Sequence, residues 1–134
     1  MVKREVMIVI LCCYFSLSYV FAQGYKFFNG KDWKKFDSYN LSSKEEKEIK
    51  EMFLKATYEA TIFSGKPLIS IRNEEFLTYV EFLDRFYKRK KNEVIPLYHS
   101  LKIVDMVKKG RPNIEIQRYV IAVLTKLRQL KLIK

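Results

Sequence analysis

Hydrophobic residues recur every three or four positions between residues 49 and 63, the spacing that places them along one face of a helix. Ser42 and Ser43 precede this stripe, and each has a Glu three residues later, which is the capping-box pattern. Gly65 and Pro67 follow the stripe and predict the end of the helix. We therefore expect a first long helix between Ser42 and Gly65. Its apolar face is predicted to consist of Ile49, Met52, Phe53, Ala56, Ala60 and Phe63.

A second helix is predicted after an extended link at residues 67–72, with Asn73 as its N-cap. The basic run Lys88–Lys91 is expected to end it, because positive charge is favourable at the carboxyl end of the helix dipole. A helix this apolar is predicted to be buried on more than one side. Its main face comprises Phe76, Val80, Leu83 and Tyr87, which Tyr79, Phe82 and Phe86 widen.

Two more helices are predicted on either side of Gly110. Pro96 suits the first turn of the third helix, and Asn113 is the expected N-cap of the fourth. Short connections make successive helices pack antiparallel or at a steep angle. The pattern thus predicts an all-α fold, a compact four-helix domain. The expected inner faces are Leu97, Leu101, Val104 and Val107 or Met106 in the third helix, and Ile116, Val120, Val123, Leu127 and Leu130 in the fourth.

The segment from Tyr25 to Asn40 is rich in aromatic residues and is interrupted by turn-forming residues. It has room for one or two helical turns around residues 31–36. We interpret it as a short N-terminal arm that docks on the helices through its aromatic side chains. The candidate contact residues of this aromatic arm are Tyr25, Trp33 and Phe36.

The start of the chain has the pattern of a secretory signal peptide. Lys3 and Arg4 precede an apolar run from Val6 to Phe21, and Val20-Phe21-Ala22 resembles a signal peptidase site. We predict cleavage after Ala22, which divides the chain into a signal peptide at 1–22 and a single helical domain at 23–134. The alternative is an uncleaved membrane anchor. Both interpretations place the domain outside the cytoplasm, in the periplasm or secreted.

The two cysteines, Cys12 and Cys13, both lie within the predicted signal peptide. The mature domain is therefore expected to have neither a disulfide nor thiolate chemistry, and no cofactor is predicted. Leu11 stands where a lipid-modification site requires a small residue, which argues against a lipoprotein.

Net charge points to anionic partners. The predicted mature chain has 24 Lys and Arg against 14 Asp and Glu, a net charge of +10. Outside the cytoplasm such a surface suits anionic phospholipid, anionic wall polymer or an acidic protein, whereas export argues against nucleic acid. A helix-turn-helix around Gly110–Asn113 is the sequence arrangement that would favour DNA. The candidate basic surface is Lys108, Lys109 and Arg111.

Residues 86–96 combine two aromatics, four cations and a proline-started helix. One interpretation is an exposed cationic and aromatic binding edge. The other is that the aromatic residues anchor a loop to the core while the lysines remain solvated. The candidate residues of this binding edge are Phe86, Tyr87, Lys88, Arg89, Lys90, Lys91, Asn92 and Pro96.

No motif in the sequence predicts catalysis or metal binding. His99 is the only histidine, and no acidic pair stands beside it at ligand spacing. The Glu pairs lie in predicted first helical turns, where they offset the helix dipole. Glu59 and Asp32 are the two acids whose burial in a cleft would favour an enzyme acting on peptidoglycan.

Two short motifs carry a resemblance. Asn29-Gly30-x-x-Trp33, followed by Phe86-Tyr87-x4-Asn92-x2-Ile95-Pro96, resembles a family of small exported, mostly uncharacterised bacterial helical proteins. In size and helical layout the chain is also distantly similar to periplasmic immunity proteins that neutralise cell-wall amidases. The resemblance implies export and a helical fold, and no residue roles follow from it.

These observations favour a non-enzymatic envelope protein that binds another protein, as an inhibitor, an immunity-like factor or an assembly factor. The alternative is a basic module that binds anionic lipid or cell-wall polymer.

Overall fold

The computed structural model describes residues 5, 6, 8–10, 12, 28–63, 65 and 69–134. The prediction of an all-α fold is confirmed, since these residues contain helices and no strand. Four helices of twelve residues or more lie where the apolar stripes predicted them. A short α-helix, three 3₁₀ helices and helical residues near the start bring the helix count in this part of the chain above the four predicted.

The aromatic arm begins with α1, Gly30–Lys34, followed directly by the 3₁₀ helix Lys35–Tyr39. Asn29 caps α1, because its side chain accepts a hydrogen bond of 2.9 Å from the Lys31 backbone N–H. Trp33 and Phe36 are buried, so the arm docks on the core as expected. Tyr25, the predicted cleavage site after Ala22 and most of the predicted signal peptide lie outside the described residues.

Helix α2, Ser43–Phe63, begins with the predicted capping box at Ser42. The backbone N–H of Ser42 donates to Glu45 Oε2 across 3.0 Å, and the Glu45 N–H donates to the Ser42 hydroxyl across 3.3 Å. The predicted apolar face was wrong at two residues, because Met52 is 46% exposed and Phe63 is 97% exposed.

Helix α3, Phe76–Tyr87, is preceded by a 3₁₀ helix, Asn73–Glu75. The prediction that Asn73 is the N-cap was wrong. The Glu75 carboxylate instead accepts a hydrogen bond of 3.0 Å from the backbone N–H of Arg72. The prediction of burial on more than one side was wrong, because the five buried residues of this helix lie on one face about 100° wide, while Phe82 and Phe86 beside it are only half-buried.

Helices α4, Leu97–Lys108, and α5, Asn113–Gln129, follow Pro96 and the Gly110 turn. Gly110 has φ of +65°, which confirms it as the cap of α4. Asn113 begins α5 without a side-chain capping hydrogen bond, so its predicted role was wrong. On the fourth predicted face, Leu130 is 40% exposed, and Ile116 and Val120 are half-buried.

Each long helix packs against the next along the chain, and α1 packs against α3. The main core is formed by residues of α1, α2, α3 and α4 together with Val6, and Val9 and Ile10 near the start of the chain pack against it. A second, smaller core joins α4 to α5 through Ile95, Ile103, Val123 and Leu127. Among the described residues, no helix is both long and apolar enough to cross a bilayer.

Candidate functional site: a cationic groove between three helices

A groove with a volume of about 650 Å³ opens between α3, α4 and α5. Helix α4 forms its floor because both α3 and α5 pack on α4. Helix α5 forms one wall, and the end of α3 with the loop at residues 88–96 forms the other. Volumes of this size are typical of binding sites in proteins.

The lining of the groove is mostly apolar. Val107 of α4 and Ile121 of α5 line it, and they are 46% and 62% exposed. Exposed apolar side chains that line a concave surface are characteristic of interaction sites. The other apolar lining residues are Phe82 and Phe86 on α3, Ile95 on the loop, Ile103 and Val104 on α4, and Ile116, Val120 and Leu124 on α5.

Three cationic side chains, Arg85, Arg89 and Lys91, line the α3 side of the groove. The Arg85 guanidinium lies over the Phe82 ring at 4.5 Å from its centre, which holds this cation beside the apolar surface. No lining residue is acidic, and none of the three cations forms an ion pair within the described part of the chain. The α5 side contributes only the uncharged amides of Asn113 and Gln117.

The groove is open because few side chains of α5 are buried against the rest of the protein. Val123 and Leu127 are its buried residues, and both lie in the second half of the helix. In the first half, Ile114 and Ile121 are more than half exposed, and Val120 is half-buried. The apolar face of α5 is therefore wider than the surface that α4 covers.

The loop at residues 88–96, which contributes Arg89 and Lys91 to the groove, is anchored by hydrogen bonds. The backbone N–H of Gly30 donates to the Glu93 carbonyl across 2.9 Å, and that of Leu97 donates to the Phe28 carbonyl across 2.8 Å. Asn92 Nδ2 donates to the Phe86 carbonyl across 2.8 Å. The aromatic arm thus straps the loop, and the segments 29–33 and 86–96 meet here.

The residues of the predicted binding edge separate into a buried group and an exposed or groove-lining group. Tyr87, Asn92 and Pro96 are buried, so they support the loop and cannot contact a partner directly. The Tyr87 hydroxyl lies 2.7 Å from the Ser100 hydroxyl and 3.0 Å from the Ile95 carbonyl, and burial raises the pKa of Tyr87. The members of the edge that line the groove are Phe86, Arg89 and Lys91, while Lys88 and Lys90 are exposed beside it.

The predicted basic surface does not present unpaired charge. Lys108 Nζ lies 3.2 Å from Glu75 and 4.4 Å from the centre of the Tyr79 ring. Lys109 pairs with Asp105 at 2.9 Å, and Arg111 lies 4.0 Å from Glu115. Each of the three cations has a carboxylate partner, so this surface is a weaker candidate for anion binding than the groove rim.

Trp33 and Phe36 of the predicted aromatic arm belong to the core. Trp33 Nε1 donates to Asp84 Oδ1 across 2.8 Å, and Lys50 Nζ donates to the same oxygen across 2.9 Å. Lys50 is 2% exposed. Burial lowers its pKa, but hydrogen bonds to Glu46, Asp84 and Asp37 outweigh burial and leave that pKa raised. This cluster is satisfied internally and offers nothing to a ligand.

His99 links α4 to α5 and does not line the groove. Its Nδ1 lies 2.9 Å from the Tyr119 hydroxyl. Burial lowers the pKa of His99, and burial raises the pKa of Tyr119 to about 12. The histidine therefore contributes to the packing of α4 against α5.

The two acids named as signs of an enzyme do not lie in a cleft. Glu59 is exposed. Asp32 accepts a hydrogen bond of 3.1 Å from the Asn29 backbone N–H and pairs with Lys35 at 2.9 Å. Within the described ranges, no three His, Cys, Asp or Glu residues are grouped as metal ligands.

Most of the groove was not predicted as a site. Phe82, Ile116 and Val120 were expected in the core but are only half-buried, because a helical stripe does not reveal which of its positions a neighbouring helix covers. One feature of the sequence does indicate the groove: the apolar stripe of α5 is unusually wide, because Ile114 and Ile121 extend it to one side.

No family model, curated protein or solved structure matches this chain.

Proposed function

We propose that this protein is an exported, non-enzymatic binding protein of the cell envelope, and that its partner is another protein. The four long helices act as a scaffold for one contact surface. An inhibitor, an immunity-like factor and an assembly factor all need only such a surface.

The observation that carries this proposal is the groove, where an apolar floor adjoins cations that form no ion pair within the described part of the chain. Apolar area supplies most of the affinity of protein interfaces, and exposed Val107 and Ile121 offer such area. Arginine is enriched at interfaces, and Arg85 and Arg89 line this site. The strapped loop favours binding because a rigid surface loses little conformational entropy when a partner docks.

Export is supported by the sequence pattern of residues 1–22, which has the basic start, apolar run and small residue of a signal peptide. The +10 charge of the predicted mature chain suits an acidic partner in the envelope.

Affinity purification with matched variants tests the proposal. The tagged full chain is expressed in its native organism as wild type, Ile121→Glu and Ala122→Glu, and envelope extracts are prepared at physiological salt. Ala122 is exposed and does not line the groove, so the two variants add the same charge one residue apart. We expect one protein to be recovered in stoichiometric amount with wild type and Ala122→Glu and lost with Ile121→Glu.

Recovery of that protein by all three forms would show that the groove is not the contact surface. Recovery of none would remove the support for a protein partner.

The second candidate function is binding to anionic lipid or cell-wall polymer. It is favoured by the exposed run Lys88–Lys91, two of whose cations line the groove. Sedimentation with anionic vesicles or with wall sacculi at rising salt tests it, because binding through exposed charge weakens steeply with ionic strength. Pelleting that persists without any protein partner would favour this candidate over the first.

A further inference from the structure

We propose that the groove binds one amphipathic helix of the partner, about three turns long, with acidic side chains along one flank. This inference rests on the proposed function and specifies what part of a partner the site recognises. The occupant is inferred from the length of the groove, its shape and the placement of its charges.

The length of the groove matches a short helix. Its lining on α5 runs from Asn113 to Leu124. At a rise of 1.5 Å per residue this corresponds to about 16 Å, or three turns. A helix in a groove contacts its site through apolar side chains at i, i+3 or i+4, and i+7, which suits a site of this length.

The shape corresponds to a missing neighbour in a helix bundle. Helices α3 and α5 both pack on α4, and their apolar residues Phe82 and Ile121 line the space between them. A helix placed there would bury the exposed parts of Val107 and Ile121 and would pack against three helices at once. This geometry favours a helix over an acyl chain, which needs enclosure on most sides.

The cations of the groove indicate which flank of the bound helix is acidic. Arg85, Arg89 and Lys91 lie on the α3 side without carboxylate partners in the described part of the chain, whereas Asn113 and Gln117 line the α5 side. A helix with Glu or Asp on the side that faces α3 would neutralise these cations. The same rim disfavours a second copy of this chain, because the lining contains no carboxylate to meet the partner's cations.

A pair of designed helical peptides tests the inference. Each has about sixteen residues, stapled to enforce the helix, with Leu at i, i+4, i+7 and i+11 on one face. One peptide has three Glu on one flank, and its twin has three Lys there. Binding to the ¹⁵N-labelled full chain is followed by chemical-shift changes. We expect the Glu peptide to bind at least about tenfold more tightly than the Lys peptide. The shifts should centre on α5 residues 113–124 and on α3.

Two charge-matched variants locate the effect. Arg85→Glu with Arg89→Glu is expected to reverse the peptide preference. Lys126→Glu with Arg128→Glu makes the same change in net charge at exposed positions outside the groove and should leave the preference unchanged. Unfolding curves for both double variants confirm that they are folded.

Equal affinity for both peptides, or shifts outside the groove, would overturn the inference. It would also be overturned if neither peptide bound at about 1 mM. If the envelope partner still depended on Ile121 in that case, the proposed function would stand and only the helical occupant would be excluded. A lipid occupant would also overturn the inference. It would be identified if laurate or phosphatidylglycerol vesicles displaced the Glu peptide at a lower concentration than the one at which the peptide binds. Dimerisation of the unliganded protein through Ile121, seen by sedimentation velocity, would overturn the inference as well.

Discussion

Trp33 Nε1 donates a hydrogen bond of 2.8 Å to Asp84 Oδ1, the same oxygen that accepts from the buried ammonium of Lys50. This single carboxylate therefore holds the aromatic arm to α3 and α2 to α3. We expect Asp84→Ala to lower the free energy of unfolding by about 2–3 kcal/mol, because it leaves a buried indole N–H without an acceptor and removes one of three carboxylates from Lys50.

Urea unfolding measures this effect, and Asp37→Ala is its control. Asp37 also contacts Lys50, at 3.0 Å, but its side chain is 58% exposed and it does not bind Trp33. We expect its loss to cost under about 1 kcal/mol. Equal costs for the two variants would contradict the role given to Asp84.

Gly30 is required by the close approach of α1 to α3. A Cβ at this position would lie 2.2 Å from Tyr87 Cδ1 and 2.8 Å from the Glu93 Cα. Tyr87 is buried and Glu93 contributes backbone, so neither can move aside easily. We expect Gly30→Ala to destabilise the fold by about 3 kcal/mol. Lys31→Ala, at the exposed neighbouring position, should change stability by less than about 0.5 kcal/mol. A thermal unfolding curve for Gly30→Ala that overlays wild type would contradict this packing.

The Gly30 contact shows what the sequence predicts and what it does not. Helix positions and the Gly110 cap follow from local patterns, and the structure confirms them. The meeting of Gly30 with Tyr87 does not follow from them, because the two residues are 57 positions apart and no local rule sets which faces of helices meet. The groove was missed for the same reason, since Ile121 is apolar and helical whether or not a neighbour covers it.

Lys50 illustrates a second limit. A lysine within a helix is expected at the surface, yet this one is 2% exposed because Glu46, Asp37 and Asp84 surround it. Glu46 lies four residues away and is visible in the sequence pattern. The other two carboxylates come from separate elements, and only the tertiary fold places them beside Lys50.

His99 gives the fold a defined dependence on pH. Burial lowers its pKa below the ordinary value of 6.5, so the unfolded chain takes up a proton at a higher pH than the folded chain does. The contribution of His99 to stability is therefore fully present above about pH 7.5 and is lost as the pH falls below 6.5 towards the pKa in the fold. Since the chain has one histidine, its NMR titration reports this pKa directly.

We expect wild type to lose more stability than His99→Gln between about pH 7.5 and pH 5.5. A titration midpoint at or above 6.5 would contradict the lowering of this pKa by burial.

Proposed export predicts a mature chain that begins at Gln23. Mass spectrometry of the protein from the envelope fraction should show that residues 1–22 are absent, and Ala22→Leu should slow processing because signal peptidase sites require a small residue there. An intact chain in the cytoplasmic fraction, with its leader retained, would contradict export and the envelope partner with it.

The claim that the groove between α3, α4 and α5 binds a protein is tested most directly by photo-crosslinking in living cells. Benzoylphenylalanine is placed at Ile121, which lines the groove, or at Ala122, which does not. Our account predicts a discrete adduct with one envelope protein from position 121 and none from position 122. The same adducts from both positions, or no protein adduct from position 121, would contradict it.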